Sequence, residues 1–466
     1  MRAAIYLLIL LISAACAARA ADAPKPDVTF HAKPKLLAAG AVIEDWGPFL
    51  GARHNGTSAE THLLKKFPDG GLSVVWEMEH GMSYASPAIS GGRLVYFHRV
   101  ANEEIAECRD AETGARLWRF AYPTDFQDRF GYNNGPRCSP VIDGEYVYLH
   151  GAVGMLHCLK LKDGAVVWKH DTFAEFKLQQ NFFGVGSTPL IEGGLLIVNV
   201  GAPNGQSVAA FDKLTGEKRW TAGEWGPGYA SPVPADIHGK RRVLVFAGGD
   251  SKPPTGGLLC IDPLNGAVDF SFPWRSKSYE SVNAALPTIC GDQVFVTASY
   301  DTGGTMVTVT PEFKAVQAWK TDELGAHFST CIFREGLVYG FDGRHTRNAQ
   351  LTCIEVKTGK TLWRDPLIWQ ETVELNGEKR PQRRGAGRGS LLLAEGQFLC
   401  LGEFGDLLRL ELSPDGCMVL ERTRLFDAQE SWSPLVLSHG LLYAVQNSQD
   451  QRTQAPPRLI CVDLRE

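Results

Sequence analysis

A chain of 466 residues with 44% apolar and 21% charged side chains is ordinary globular material, which excludes a wholly disordered or collagen-like protein. Its 47 Lys and Arg stand against 52 Asp and Glu, a net charge of -5, so nothing suggests a surface built to neutralise phosphates, and nucleic acid drops out as a partner. The 49 Gly, 26 Pro and 11 Trp point to many turns and many aromatic anchors, the mixture of an all-β protein.

In chain order, residues 1–20 read as a secretory signal peptide: Arg2 is the positive start, Ile5 to Ile12 an apolar run, and Ala18-Arg19-Ala20 a small-x-small cleavage site. The expectation is an exported protein, periplasmic or extracellular. Ser13-Ala14-Ala15-Cys16 resembles a bacterial lipoprotein cleavage box with Ser in place of the usual Leu, so a lipid anchor at Cys16 competes with simple removal of that residue. No later segment approaches 18 uninterrupted apolar residues, and no transmembrane span is expected. Residues 21–66 read as an extended lead-in and 67–466 as one repeat domain.

The repeat shows first in glycines followed four positions later by an aromatic residue: Gly114 and Trp118, Gly164 and Trp168, Gly216 and Trp220, Gly266 and Phe270, Gly359 and Trp363. A small polar residue precedes each Gly and a β-type run ends just upstream, as in Leu258-Leu259-Cys260-Ile261, so the unit is strand, turn, strand. A second motif supplies the other half. Ser86-Pro87, Ser139-Pro140, Thr188-Pro189, Ser231-Pro232 and Ser433-Pro434 each open a short apolar run, followed by a Gly-containing turn and a run rich in β-branched and aromatic residues. Degenerate copies begin near Leu286-Pro287, Ser329-Thr330 and Gly389-Ser390, which makes eight units of four strands. Such a unit cannot bury both faces alone, so the units stack radially. The expected fold is an all-β, eight-bladed β-propeller of four-stranded antiparallel blades. Pro sits where an edge strand needs no donor, Gly supplies a positive φ, and the Trp wedges between blades with its indole N–H on backbone.

The last unit, from Ser433, has only three strands, whereas Leu72 to Met78 carries a Trp strand without the preceding three. The N-terminal strand is therefore expected to complete the C-terminal blade. Apart from Cys16, ten cysteines remain. Cys108, Cys158, Cys260, Cys353 and Cys461 fall at equivalent third-strand positions in different blades, too far apart to bridge one another, whereas Cys138, Cys290, Cys331, Cys400 and Cys417 stay open as partners in isolated disulfides. His98 and His150 follow second strands at comparable positions and are expected in solvated loops near one rim. No His-Glu-x-x-His, Gly-x-Ser-x-Gly or P-loop occurs.

The stretch from Cys108 to Trp118, Cys-Arg-Asp-Ala-Glu-Thr-Gly-Ala-Arg-Leu-Trp, resembles the tryptophan-docking repeat of pyrroloquinoline-quinone (PQQ)-like β-propellers, and Asp45-Trp46-Gly47-Pro48-Phe49-Leu50-Gly51 resembles the lead-in of their secreted bacterial members. That superfamily includes quinoprotein dehydrogenases, the propeller subunit of the outer-membrane β-barrel assembly machinery, and secreted propellers without established chemistry. The dehydrogenases carry a vicinal Cys–Cys disulfide against the quinone, and this chain has no adjacent cysteines and no Cys-x-x-Cys-His haem signature.

Two functional expectations follow. The first is a non-catalytic binding or scaffold module that takes an envelope protein or a small-molecule ligand on its loop-rich face, with no cofactor. That face holds the loops into each first strand, including Tyr132 to Arg137, Gln179 to Phe183, Trp225 to Tyr229, Tyr279 to Asn283 and Glu430 to Trp432, and those between second and third strands, including Ser299 to Asp301, Asp342 to His345, Glu403 to Gly405 and Gln446 to Asn447. The alternative is a PQQ-dependent oxidoreductase acting on an alcohol or sugar. Asp301 would then be the base, Glu280, Asn283 and Asp301 the oxygen ligands for Ca²⁺, and Arg137, Trp225, Arg344, Arg384 and Trp432 the quinone contacts. The basic run from Lys379 to Arg388, in the insertion before the seventh unit, is expected to be a solvated surface loop.

Overall fold

The computed structural model describes residues 27–466 apart from positions 179, 181, 280, 376 and 377. The signal-peptide and Cys16 readings, and Glu280, lie outside the described residues. Seven four-stranded antiparallel sheets and one five-stranded sheet follow one another around a ring. Blade 1 runs from Ala88–Ser90 to Arg116–Pro123, and blade 2 from Val141–Asp143 to Val166–Asp171. Blades 3 to 6 span 190–222, 233–273, 288–321 and 332–365, and blade 7 spans 390–424. Blade 8 takes three strands from the C-terminus, ending in Arg458–Asp463, and its fourth from Val74–Glu79, which pairs antiparallel with that last strand. Thr29–Phe30 adds a short fifth strand that sequence reading did not foresee.

The outer-strand tryptophans work as the motif implies. The indole N–H groups of Trp76, Trp118, Trp168, Trp220, Trp319 and Trp363 each donate to a backbone carbonyl of the following blade, at 2.7–3.0 Å. Five of these rings lie on the turn glycine of that blade. Gly114, Gly164, Gly216, Gly266 and Gly359 have φ of 71–76°, and a Cβ on any of them would stand 2.5–2.9 Å from the preceding blade's indole. Glycine is thus required twice, for its dihedral and for the ring above it. Gly359→Ala should cost about 2–3 kcal/mol, from the left-handed backbone together with displacement of Trp319, as read from the urea midpoint.

Where the pattern lapses, compensation is visible. Blade 4 has Phe270, which offers no N–H, and the next turn carries Phe313 at φ 56° instead of Gly, the two rings sharing one apolar cluster. Blade 7 has Arg409 opposite Glu421 where other blades pair a small or apolar third-strand residue with an aromatic. Arg409, nearly buried, donates to the carbonyls of Leu64 and Lys65 and lies over Phe67, while Glu421 accepts from the Phe67 N–H at 2.7 Å. The ion pair grips the lead-in instead of docking a Trp.

The inner strands are tied by the residue before each Pro. The Ser139 hydroxyl accepts from Ser86 N–H, Thr188 from Ser139 N–H and Ser231 from Thr188 N–H, so hydroxyls link successive blades around the channel. The far end of that channel is closed by the lead-in. Trp46 exchanges backbone hydrogen bonds with Ile89 of blade 1, Gly47 accepts from Ile142 of blade 2, Leu50 packs on Val233 and Leu286, and Gly56 and Ser58 bond Leu393 of blade 7.

Several expectations need correction. Cys108, Cys158, Cys260, Cys353 and Cys461 do occupy equivalent positions, opposite Trp118, Trp168, Phe270, Trp363 and Trp76. None of the ten described cysteines is in a disulfide, so the second group packs as thiols as well. His98 and His150 are not in solvated loops. Both lie within second strands, 4% and 1% exposed, because those strands run further toward the rim than the apolar runs suggested. The basic run is not a solvated loop but half of a hairpin, Ile368–Leu375 with Glu378–Gly385.

Burial pulls His98 down to about 3, and His80, His150 and His157 to about 4, from the usual 6.5. Unfolding frees these rings to take protons, so their contribution is complete above pH 6.5 and is lost as the pH falls toward 4. His54 and His327 are likewise pulled to about 4, whereas Glu60, Glu104, Asp342, Asp406 and Glu430, whose values burial raises, act in the opposite sense. The histidines outnumber them in that window, and the urea midpoint should fall between pH 7 and pH 5. A flat or rising midpoint would contradict this.

Candidate functional site

The loops that lead into the first strands converge on the open end of the channel, and the lead-in floors the other end. Between them lies a blind cavity of about 220 Å³. Phe49, Leu50, Asn55 and Gly56 form its floor, and Tyr84, Tyr132, Phe183, Tyr229, Phe328 and Trp432 are its main walls. Trp432 stands at the centre of the rings. Tyr84 stacks on it at 5.3 Å and 18°, Phe328 is tilted at 5.1 Å and Tyr132 at 5.9 Å. From Tyr132 the ring contacts continue outward through Phe183, Phe130 and Phe182 to Tyr279 on the rim. Phe130, Tyr132 and Tyr279 are 50%, 48% and 68% exposed, so an apolar aromatic band runs unbroken from solvent to the chamber.

The polar groups of the chamber are engaged with one another. Arg137 pairs with Asp128 at 2.5 Å, donates to the carbonyls of Asn133 and Gly135, and lies 5.5 Å over the Tyr84 ring. Arg388 is ion-paired with Glu403 and sits 4.8 Å over Trp432, whose indole N–H donates to the same carboxylate at 2.9 Å. Glu403, 2% exposed, also accepts from the Thr346 hydroxyl and the Arg388 N–H. The Tyr84 hydroxyl donates to Glu430 at 2.7 Å, and burial raises the Glu430 carboxyl against that bond. His327 is held neutral, pulled down to about 4 by burial and then by Arg388 and Arg344. Its Nε2 meets the Tyr300 hydroxyl at 3.2 Å, while its buried Nδ1 has no partner. The chamber presents ring faces and guanidinium edges, with its carboxylates already accepting.

Of the residues expected to contact a quinone, the structure brings Arg137 and Trp432 into this cavity. Trp225 lines a separate groove beside blades 3 and 4, Arg344 lies over Tyr300 at 4.1 Å, and Arg384 is on the insertion hairpin, bonded to Glu371 and Asp427. Asp301 is exposed on a turn at φ 58° and does not line the chamber. The Asn283 side-chain N–H₂ donates to the carbonyls of Ala247 and Trp274, while its buried Oδ1 has no hydrogen-bond partner and does not line the chamber. Among the described residues no three His, Cys, Asp or Glu side chains are placed to hold a metal ion. Among the described residues, the five expected quinone contacts do not meet in one cavity, and the face of Trp432 is occupied by its neighbours. Sequence reading placed Glu403 on this face but missed Tyr84 and Phe328 as site residues, along with the whole floor.

Residues 101–365, more than half of the chain, match the family model described as "Outer membrane protein assembly factor BamB". No curated protein matches the chain. Among solved structures, BamB from Moraxella catarrhalis aligns at 14% identity and a TM-score of 0.53, covering 84% of this chain and 97% of that one. A europium-containing methanol dehydrogenase aligns at 10% identity and 0.60, covering 90% and 98%. The quinohemoprotein alcohol dehydrogenase from Comamonas testosteroni aligns at 11% and 0.59, covering 91% and 81%. At such identities these likenesses establish the propeller fold and not an activity.

Proposed function

Because the chain belongs to the BamB-like family of PQQ-like β-propellers, we propose that it is an exported, non-catalytic binding module that receives an envelope protein at its aromatic channel mouth. The observation that carries this reading is the unbroken run of ring contacts from exposed Tyr279 to Trp432. An apolar band of this kind on a water-facing rim suits a partner's side chains, and large rigid rings are what protein interfaces use as anchors. The chamber carboxylates each already accept from Arg, Tyr or Trp, which favours recognition over proton transfer by them. Export rests on Arg2, the apolar run and Ala18-Arg19-Ala20. No helix among the described residues is long and apolar enough to cross a membrane.

The test is photo-crosslinking in cells producing the full chain, with a benzophenone amino acid at Tyr132 or Tyr279. Discrete crosslinked envelope proteins are expected, and Trp432→Leu should remove them. No crosslink from either position would sink the reading. In parallel, the purified chain incubated with PQQ and Ca²⁺ should elute from gel filtration without quinone absorbance and should reduce no dye with alcohols or sugars. Quinone retention with dye reduction abolished in Asp301→Ala would overturn it.

A further inference from the structure

We infer that a cationic groove between the insertion hairpin and the rim loops of blades 6, 7 and 8 binds an acidic peptide segment, one of whose aromatic side chains enters the adjoining chamber. This deepens the proposed function and rests on it. The groove, of about 550 Å³, is lined by Thr346, Arg347, Gln382, Arg383, Arg384 and Gln451 among others, and among the described residues no carboxylate lines it. The acids packed around Arg384 are already claimed. Glu371 accepts from Arg384 and Arg424, Asp427 from Arg384 and Arg452, and Asp406 from Arg424. Those three guanidiniums and three carboxylates balance. Arg347 and Arg383 are additional to that balance: both are exposed, and neither has an ion-pair partner among the described residues. Arg344, on the same loop as Arg347, also has none. In a chain of net charge -5, this is a local excess of unneutralised guanidinium in a concave site.

Groove and chamber share a wall. Glu403 accepts from Thr346 on the groove side and from Trp432 and Arg388 on the chamber side, and Arg388 donates to the Arg344 carbonyl at 3.1 Å. A ligand that fills both must carry carboxylates for the arginine forks and a ring for the aromatic walls, which an acidic peptide with one aromatic residue does. A sulfated or phosphorylated polymer satisfies the arginines alone and leaves the chamber without an occupant.

The test is fluorescence anisotropy of the mature chain with a dye-labelled octapeptide of alternating Glu and Gly around one Phe. Companion peptides replace Glu by Gln or Phe by Ala, and heparin serves as a ring-free polyanion. Binding is expected to weaken with salt, to weaken with either companion peptide, and to fall about tenfold in R347E/R383E, with R347K/R383K retaining most of it. Both pairs are exposed, and an unchanged melting curve should confirm folding. No binding of the Glu and Phe peptide, equal affinity in R347E/R383E, or binding of heparin but not the peptide through these arginines would each overturn the inference. Loss of peptide in Trp432→Leu with none in R347E/R383E would remove the groove while leaving the mouth as the binding face, which separates this inference from the reading beneath it.

Discussion

Trp76→Ala should destabilise the protein by about 3–5 kcal/mol, as read by urea unfolding, more than the same change at any other docking tryptophan. The ring has 0% exposure, its N–H bonds the Ala111 carbonyl at 2.9 Å, and it covers Gly114. It also sits in the strand that closes the ring, so the cavity left by Ala weakens both the blade 8 to blade 1 contact and the pairing of Val74–Glu79 with Arg458–Asp463. Deleting the chain through Glu79 should go further. The edge of Arg458–Asp463 would be bare and apolar, and gel filtration should show aggregates. A synthetic peptide spanning 70–81 should restore part of the monomer. A truncated chain that stays monomeric, with an unchanged melting curve, would refute closure by this strand.

Arg409→Met should cost about 3–5 kcal/mol, although it is a polar-to-apolar change in a largely buried site. The loss leaves Glu421 without its cation and the carbonyls of Leu64 and Lys65 without their donor, and the lead-in should detach locally there. Hydrogen exchange would show this as faster exchange at residues 60–68 at unchanged protection of blade 3. Arg409→Met combined with Glu421→Leu should recover part of the loss, because removing both charges is cheaper than stranding one. A single variant as stable as the parent would show that the pair contributes nothing to the grip.

The ring was legible because its docking geometry repeats. A turn that needs both a positive φ and room for an indole leaves Gly followed by Trp at fixed spacing, and Gly114 to Trp118 shows it in full. Blade 7 could be placed only by its degenerate start at Gly389-Ser390, since Arg409 and Glu421 look like surface charge in one dimension. His98 and His150 were misplaced for a related reason: a polar side chain at the end of an apolar run reads as a loop, while the folded ring buries it. The floor was not legible at all. Phe49 and Leu50 show no strand alternation, and their burial comes from inner strands of blades far away in sequence. The walls did carry a signal that went unused. Two residues ahead of Ser86, Ser139, Ser231 and Thr330 stand Tyr84, Arg137, Tyr229 and Phe328, and each lines the chamber. A first strand that points its opening residues at the axis must point the residues just before it at the mouth.

The floor laid by Phe49, Leu50, Asn55 and Gly56 gives the chamber a single doorway. Whatever goes in returns by the same route, and displaced water must squeeze out past the newcomer. Rings at the threshold, Tyr132 above all, therefore bear on how quickly an occupant arrives and departs as well as on how tightly it is held.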